Sequence, residues 1–78
     1  MDDNMHFVGI MFEDSYNSTE ENPKFYGKVY EYKTTKPLKE GQIINITTAY
    51  GNSKVCVIKE NIPLDKLEYK DIDNIKEI

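Results

Sequence analysis

The chain has 78 residues, a net charge of −4, ten lysines, no arginine, one cysteine and one histidine. A chain this short buries a modest core and is marginally stable by itself, and its lone thiol, Cys56, has no partner for an internal disulfide. There is no CxxC or Cys/His spacing for zinc, and no run approaches the roughly 20 apolar residues that span a bilayer.

The charge is segregated. Residues 1–23 hold six acids and no lysine, residues 24–59 hold seven lysines against Glu31 and Glu40, and residues 60–78 hold six acids and three lysines. The middle is therefore basic and both ends are acidic. A basic middle suits phosphates, but lysines also decorate exposed strand faces and protect sheet edges. Arginine supplies the two-pronged contacts that read guanine, so its absence weighs against sequence-specific duplex recognition. The acidic start (Asp2, Asp3) does not read as a signal peptide, so a cytoplasmic location is expected.

In chain order, Met1–Asn4 is a polar, frayed start. His6–Phe12 alternates Phe7, Gly9 and Met11 with Val8, Ile10 and Phe12, a strand apolar on both faces. Such a strand is buried on both sides or lies against a second subunit, so a homo-oligomer through residues 6–12 is one expectation. Gly9 in mid-strand signals a bend or a close backbone approach. Glu13–Lys24 is a long acidic and small-polar loop, and it matches no calcium-loop spacing.

Phe25–Thr34 reads as the second strand, with Phe25, Gly27, Val29 and Glu31 on one face. Tyr26, Lys28, Tyr30, Tyr32 and Thr34 share the other. Tyrosines interleaved with lysines suit base stacking and protein anchoring alike, and they also simply cover a barrel with wet hydroxyls. Pro37 breaks pairing, and Gly41 allows the turn into the third strand, Gln42–Ala49. There Ile44, Ile46 and Thr48 face one way, and Ile43, Asn45 and Thr47 the other. Tyr50-Gly51-Asn52-Ser53 reads as the hairpin turn, and Lys54–Ile62 as the fourth strand, stopped by Pro63. Asp65–Glu68 reads as one helical turn. Leu64, Leu67, Ile72, Ile75 and Ile78 fit either an amphipathic helix or a last strand over about 71–77 that closes the barrel. The chain is thus expected to be one mainly β domain: a small SH3-like or primosomal-type barrel of four to five antiparallel strands over residues 5–62, then a short helical turn.

Catalysis finds little support. His6 stands near an end of the sequence with no nucleophile beside it, Cys56 sits beside two valines, and a reactive thiolate needs a cationic or helix-end setting. The carboxylates lie in no apolar setting suited to a general acid, and no glycine-rich phosphate loop is present. Glu31, between two tyrosines, would need a lysine partner or a proton if its face turned inward. No enzyme, cofactor or metal is expected.

The pattern Tyr-x-Tyr-Lys at 30–33, Leu38-Lys39-Glu40-Gly41, Ile43-Ile44-Asn45-Ile46 and Tyr50-Gly51-Asn52 through Ile58 resembles the N-terminal DNA-binding domain of the primosomal replication-restart helicase. It is also similar to short β-barrel proteins of phages and mobile elements in low-GC bacteria. That resemblance implies a stand-alone barrel ending in a strand, in a phage or mobile-element accessory setting. The helicase domain's capture of a DNA 3′ end is not carried over, because Thr48-Ala49-Tyr50 stands where that family has Arg and a Pro-Phe pair. The expected function is a non-enzymatic interaction module for a protein partner, or alternatively for single-stranded or end-bearing nucleic acid. The candidate contact residues are Tyr26, Lys28, Tyr30, Tyr32, Lys33, Lys36 and Tyr50.

Overall fold

The computed structural model describes residues 5–68 and 71–78, so the polar start at 1–4 lies outside the described residues. Four antiparallel strands curl into a half-barrel: β1 (His6–Phe12), β2 (Tyr30–Thr34), β3 (Ile43–Thr48) and β4 (Gly51–Lys59). Their order in the sheet is β2-β1-β4-β3. The mainly β architecture expected from the alternating patterns is the one observed. No helix among the described residues is long and apolar enough to cross a membrane.

Register places the apolar stripes together. Val8 pairs with Tyr32 and Ile10 with Tyr30, while Ile10 and Phe12 also pair with Val57 and Val55, and Ile44 pairs with Val55. Directly opposed residues share a face, so these side chains form the concave surface. Val8, Ile10, Val55 and Val57 are fully buried there, joined by Ile46, and Leu38 comes down from the loop before β3. Burying a side chain of this size contributes roughly 1.5–3 kcal/mol.

Several boundaries differ from the expected ones. The second strand begins at Tyr30, not Phe25. Phe25 makes only an isolated bridge to Glu13, and Gly27 (φ 100°) interrupts the ladder. Alternation alone does not reveal such a break, because a left-handed glycine leaves the sequence pattern intact. The hairpin loop is Ala49-Tyr50, with Thr48 paired to Gly51, so Gly51, Asn52 and Ser53 belong to β4 rather than to the turn. The Thr48 hydroxyl caps this loop by accepting from the Tyr50 N–H at 3.1 Å and donating to the Gly51 carbonyl at 3.0 Å. β4 ends at Lys59, three residues before the expected end, because the chain swings away through Asn61 at φ 52°.

The tail forms two short 3-10 turns, Leu64–Lys66 and Ile72–Asn74, and then one parallel bridge, Lys33 to Glu77. The Lys33 N–H donates to the Lys76 carbonyl (2.9 Å), and the Ile78 N–H donates to the Lys33 carbonyl (2.8 Å). The amphipathic helix does not form. The closing-strand expectation holds only over these last residues, which cover the outer edge of β2 and bury Ile75 to 3% exposure.

Thr34 is the one buried polar residue among those described. Its hydroxyl accepts from the Lys36 N–H at 3.0 Å. Thr34→Val keeps the shape and removes that acceptor. It is expected to cost about 1 kcal/mol in urea denaturation, the net worth of one such bond, whereas Thr34→Ser should cost less of the hydrogen bond and more of the packing.

β1 is an interior strand with both edges paired. Its second face is covered in part by the chain itself, since Gly9 is buried and lies close to Val29 and Ile62.

A candidate interaction cleft

The concave face is not filled to its end. Beyond Ile10 it continues as Phe12 and Tyr30, whose rings meet edge to face with centroids 5.3 Å apart. Such a pair contributes roughly 0.5–1.5 kcal/mol beyond its buried area, which holds both rings in place. Phe12, Tyr30 and Tyr32 form one wall of an open cleft of about 460 Å³; Thr48, Tyr50 and Ser53 of the β3–β4 hairpin, and Asn74, Ile75 and Lys76 of the tail, complete it. Three separate parts of the chain therefore meet there.

The expected contact residues separate into groups. Tyr30, Tyr32 and Tyr50 are brought together on this cleft. Tyr32 is half-buried and packs against the core, Tyr30 is 44% exposed at the rim, and Tyr50 is fully exposed on the hairpin tip. Lys28 joins them from outside, with its Nζ 5.8 Å from the Tyr30 ring centroid, inside the range of a cation–π contact. Tyr26, 78% exposed, is not among the lining residues. Lys33 pairs with Phe7 on the opposite face of the sheet, and its backbone holds the tail. Lys36 is exposed in the loop after β2.

The tyrosine and lysine stripe read from sequence is therefore not one flat exposed face. Its tyrosines in β2 point to the concave side, where they serve as core at Tyr32 and as cleft wall at Tyr30. Sequence reading missed Phe12, Ile75 and Lys76. Phe12 was recoverable, because period-two alternation puts it on the face of Val8 and Ile10. The tail residues were not, because two 3-10 turns leave no periodic signal.

A second open cleft of about 490 Å³ on the outer side is lined by Glu31, Glu40, Glu60 and Glu68 with Lys59 and Lys66. Two of its carboxylates hold backbone: Glu31 Oε2 accepts from the Glu68 N–H at 2.8 Å, and Glu60 Oε2 from the Glu40 N–H at 2.9 Å. Glu31 thus faces outward and fastens the segment after the first 3-10 turn, so the inward-facing case does not arise. Among the described residues, no group of three or more His, Cys, Asp or Glu is placed to hold a metal ion. Cys56 is half-buried opposite Met11, and His6 is half-buried opposite Thr34. No protein-family model, no curated protein and no solved structure matches the chain.

Proposed function

We infer that the chain is a non-enzymatic interaction module whose aromatic cleft receives a segment of a protein partner. One observation carries this reading: a cleft walled by Phe12, Tyr30 and Tyr32, with an entirely exposed tyrosine, Tyr50, standing at its rim. Tyrosine is enriched at protein interfaces because it combines a large apolar surface with a polar tip and little rotamer entropy to lose. The acidic balance of the whole chain favours a protein over a polyanion. An accessory role in a phage or mobile element rests on the resemblance of residues 30–60 alone.

The test compares the wild-type chain with Tyr50→Ala as bait in extracts of the source cells, with crosslinking. Tyr50 makes no core contact, so its removal is expected to leave the melting temperature unchanged, within about 0.5 kcal/mol of stability. A partner crosslinked by the wild type is expected to be lost, with affinity falling at least tenfold, as for a tyrosine anchor worth about 2 kcal/mol. Identical capture by both proteins would remove the cleft from the function.

A second reading, single-stranded nucleic acid, is favoured by Lys28 beside Tyr30 and by Lys76 in the cleft lining. Bases stack on aromatics while lysines meet the phosphates. Anisotropy of a labelled oligothymidylate at low and moderate salt decides it: phosphate contacts strengthen steeply as salt falls, and no binding at low salt ends this reading.

A further inference from the structure

The two outer edges of the sheet are treated differently. At β2 the edge is covered, because Lys33 exchanges hydrogen bonds with Lys76 and Ile78. At β3 it is bare. The parity of the ladder shows which groups are unpaired. The Val57 N–H donates to the Gln42 carbonyl at 2.8 Å, so the hydrogen-bonded pairs with β4 fall on Gln42, Ile44, Ile46 and Thr48. The N–H and C=O groups of Ile43, Asn45 and Thr47 then point away from the sheet, and no described residue bonds to them. All three residues are exposed, Ile43 by 45%.

Edge strands are usually blunted by lysine, proline or a bulge. Ile43-Ile44-Asn45-Ile46-Thr47-Thr48 has no charge and no proline, and its register with β4 runs without a shift, unlike that of β1 with β4. Five of its six residues, all but Asn45, are the β-branched types Ile and Thr, so its intrinsic preference is for pairing.

We propose that β3 pairs antiparallel with β3 of a second copy, forming a two-fold dimer with one continuous eight-stranded sheet. Asn45 meets Asn45 of the second copy at the axis, and Ile43 meets the second copy's Thr47. Each of these pairs exchanges two N–H···O=C bonds, using the groups left unpaired in the single chain. Between them Ile44 meets Ile46 of the second copy on the concave face, extending the apolar layer already formed by Val55 and Val57.

Charge selects the occupant. A chain with net charge −4 repels its own copies on average, yet this edge sets no charge against a charge. Continued outward, the register brings Gln42 to Thr48 of the second copy, and the first acid, Glu40, passes opposite the neutral hairpin tip. Growth stops at two copies because the other sheet edge is covered by the tail, so the contact is isologous and closed. Two six-residue strands bury less than a standard interface, so the dimer is expected to be weak and concentration-dependent.

The test is sedimentation velocity over a concentration series from about 10 μM to about 1 mM, the range in which so small an interface assembles. The wild-type chain is expected to rise from 9.1 kDa to twice that mass. Asn45→Lys puts two cations face to face at the axis on an exposed site, and it is expected to weaken the dimer at least tenfold with an unchanged circular dichroism spectrum. Thr47→Lys, away from the axis, provides the same readout if Asn45→Lys perturbs the fold. Amide exchange on the wild-type chain should slow at Ile43, Asn45 and Thr47 as concentration rises. A monomer throughout the series, assembly beyond two copies, or a dimer indifferent to both lysine substitutions would each overturn the proposal. The cleft is untouched by these substitutions, so partner capture and self-pairing fail or succeed separately.

Discussion

Ile75→Ala is expected to remove about half or more of the stability of this domain. The residue stands near the end of the chain, between two 3-10 turns and a single bridge, yet it is 3% exposed. Truncating a buried isoleucine to alanine costs about 2–5 kcal/mol, through lost transfer energy and the cavity left behind. A single small core without staples supplies about 3–5 kcal/mol in total. The loss should also release the tail, because Ile75 leads directly into the residues whose backbone bonds to Lys33 at 2.9 and 2.8 Å cover β2. In thermal denaturation the midpoint should fall by about 10 °C or more. Ile72→Ala is the control: that side chain is 40% exposed one turn earlier, and its loss should cost well under half as much. Equal effects of the two would show that the tail lies on the surface without being part of the core.

The tail is the part of the fold that its sequence pattern specifies least. Residues 64–78 place isoleucines and leucines at spacings that serve a helix or a strand equally, and the chain uses neither at length. It turns twice through 3-10 geometry and commits only its last residues to the sheet. The strands with strict alternation were legible. His6–Phe12 has the expected bounds, and the third strand has the expected faces, with Ile44 and Ile46 inward and Ile43, Asn45 and Thr47 outward. Alternation says which residues share a face but not where pairing begins. For that reason Phe25–Val29 reads as strand although Gly27 breaks the ladder, and Tyr50-Gly51-Asn52-Ser53 reads as the turn although the loop is Ala49-Tyr50. The cleft was half legible for a related reason. Its tyrosines were visible as a stripe, but whether the stripe turned in or out depended on the pairing of Val8 with Tyr32, a contact across 24 residues of sequence. Lys33 and Lys36 stand near the tyrosines in the chain, but the pleat and the loop carry them elsewhere.

The cleft and the bare edge follow from one incompleteness. Four strands of this length form a half-barrel, and the tail covers one edge without closing the curve. One opening therefore remains at the end of the concave face, between hairpin and tail, and one along β3. The first exposes aromatic side chains, and the second exposes backbone. Side chains select a partner by shape and chemistry, whereas backbone groups accept any strand of suitable register. On the proposed reading, partner choice falls to the tyrosines and self-pairing to β3.

Gly9→Ala is expected to destabilise the fold, against the sign that strand preference alone would give. Glycine inside a strand costs roughly 0.5–1 kcal/mol relative to alanine, so alanine should help if nothing else changed. Nor is this glycine needed for its φ, since the positive-φ glycines are Gly27, Gly41 and Gly51. The obstacle is space. A Cβ at position 9 would lie 2.8 Å from Val29 Cγ1, 3.5 Å from Lys59 Cβ and 3.6 Å from Ile62 Cδ1. Val29 is branched at Cβ and stiff at χ1, so its methyl does not swing aside freely. The backbone beneath it is also fixed: the register of β1 with β4 shifts between Gly9 and Ile10, where Gly9 pairs with Lys59 and Ile10 with Val57. Overpacking of this kind costs about 1–3 kcal/mol, which exceeds the gain in strand preference. The clash names its own remedy. In a Val29→Ala background the methyl is gone, and Gly9→Ala should become neutral or stabilising. A double-mutant cycle by urea denaturation should then give a coupling of about 1 kcal/mol or more between positions 9 and 29. Additive costs would mean that the tight approach of Val29 to the β1 backbone is not what requires glycine there.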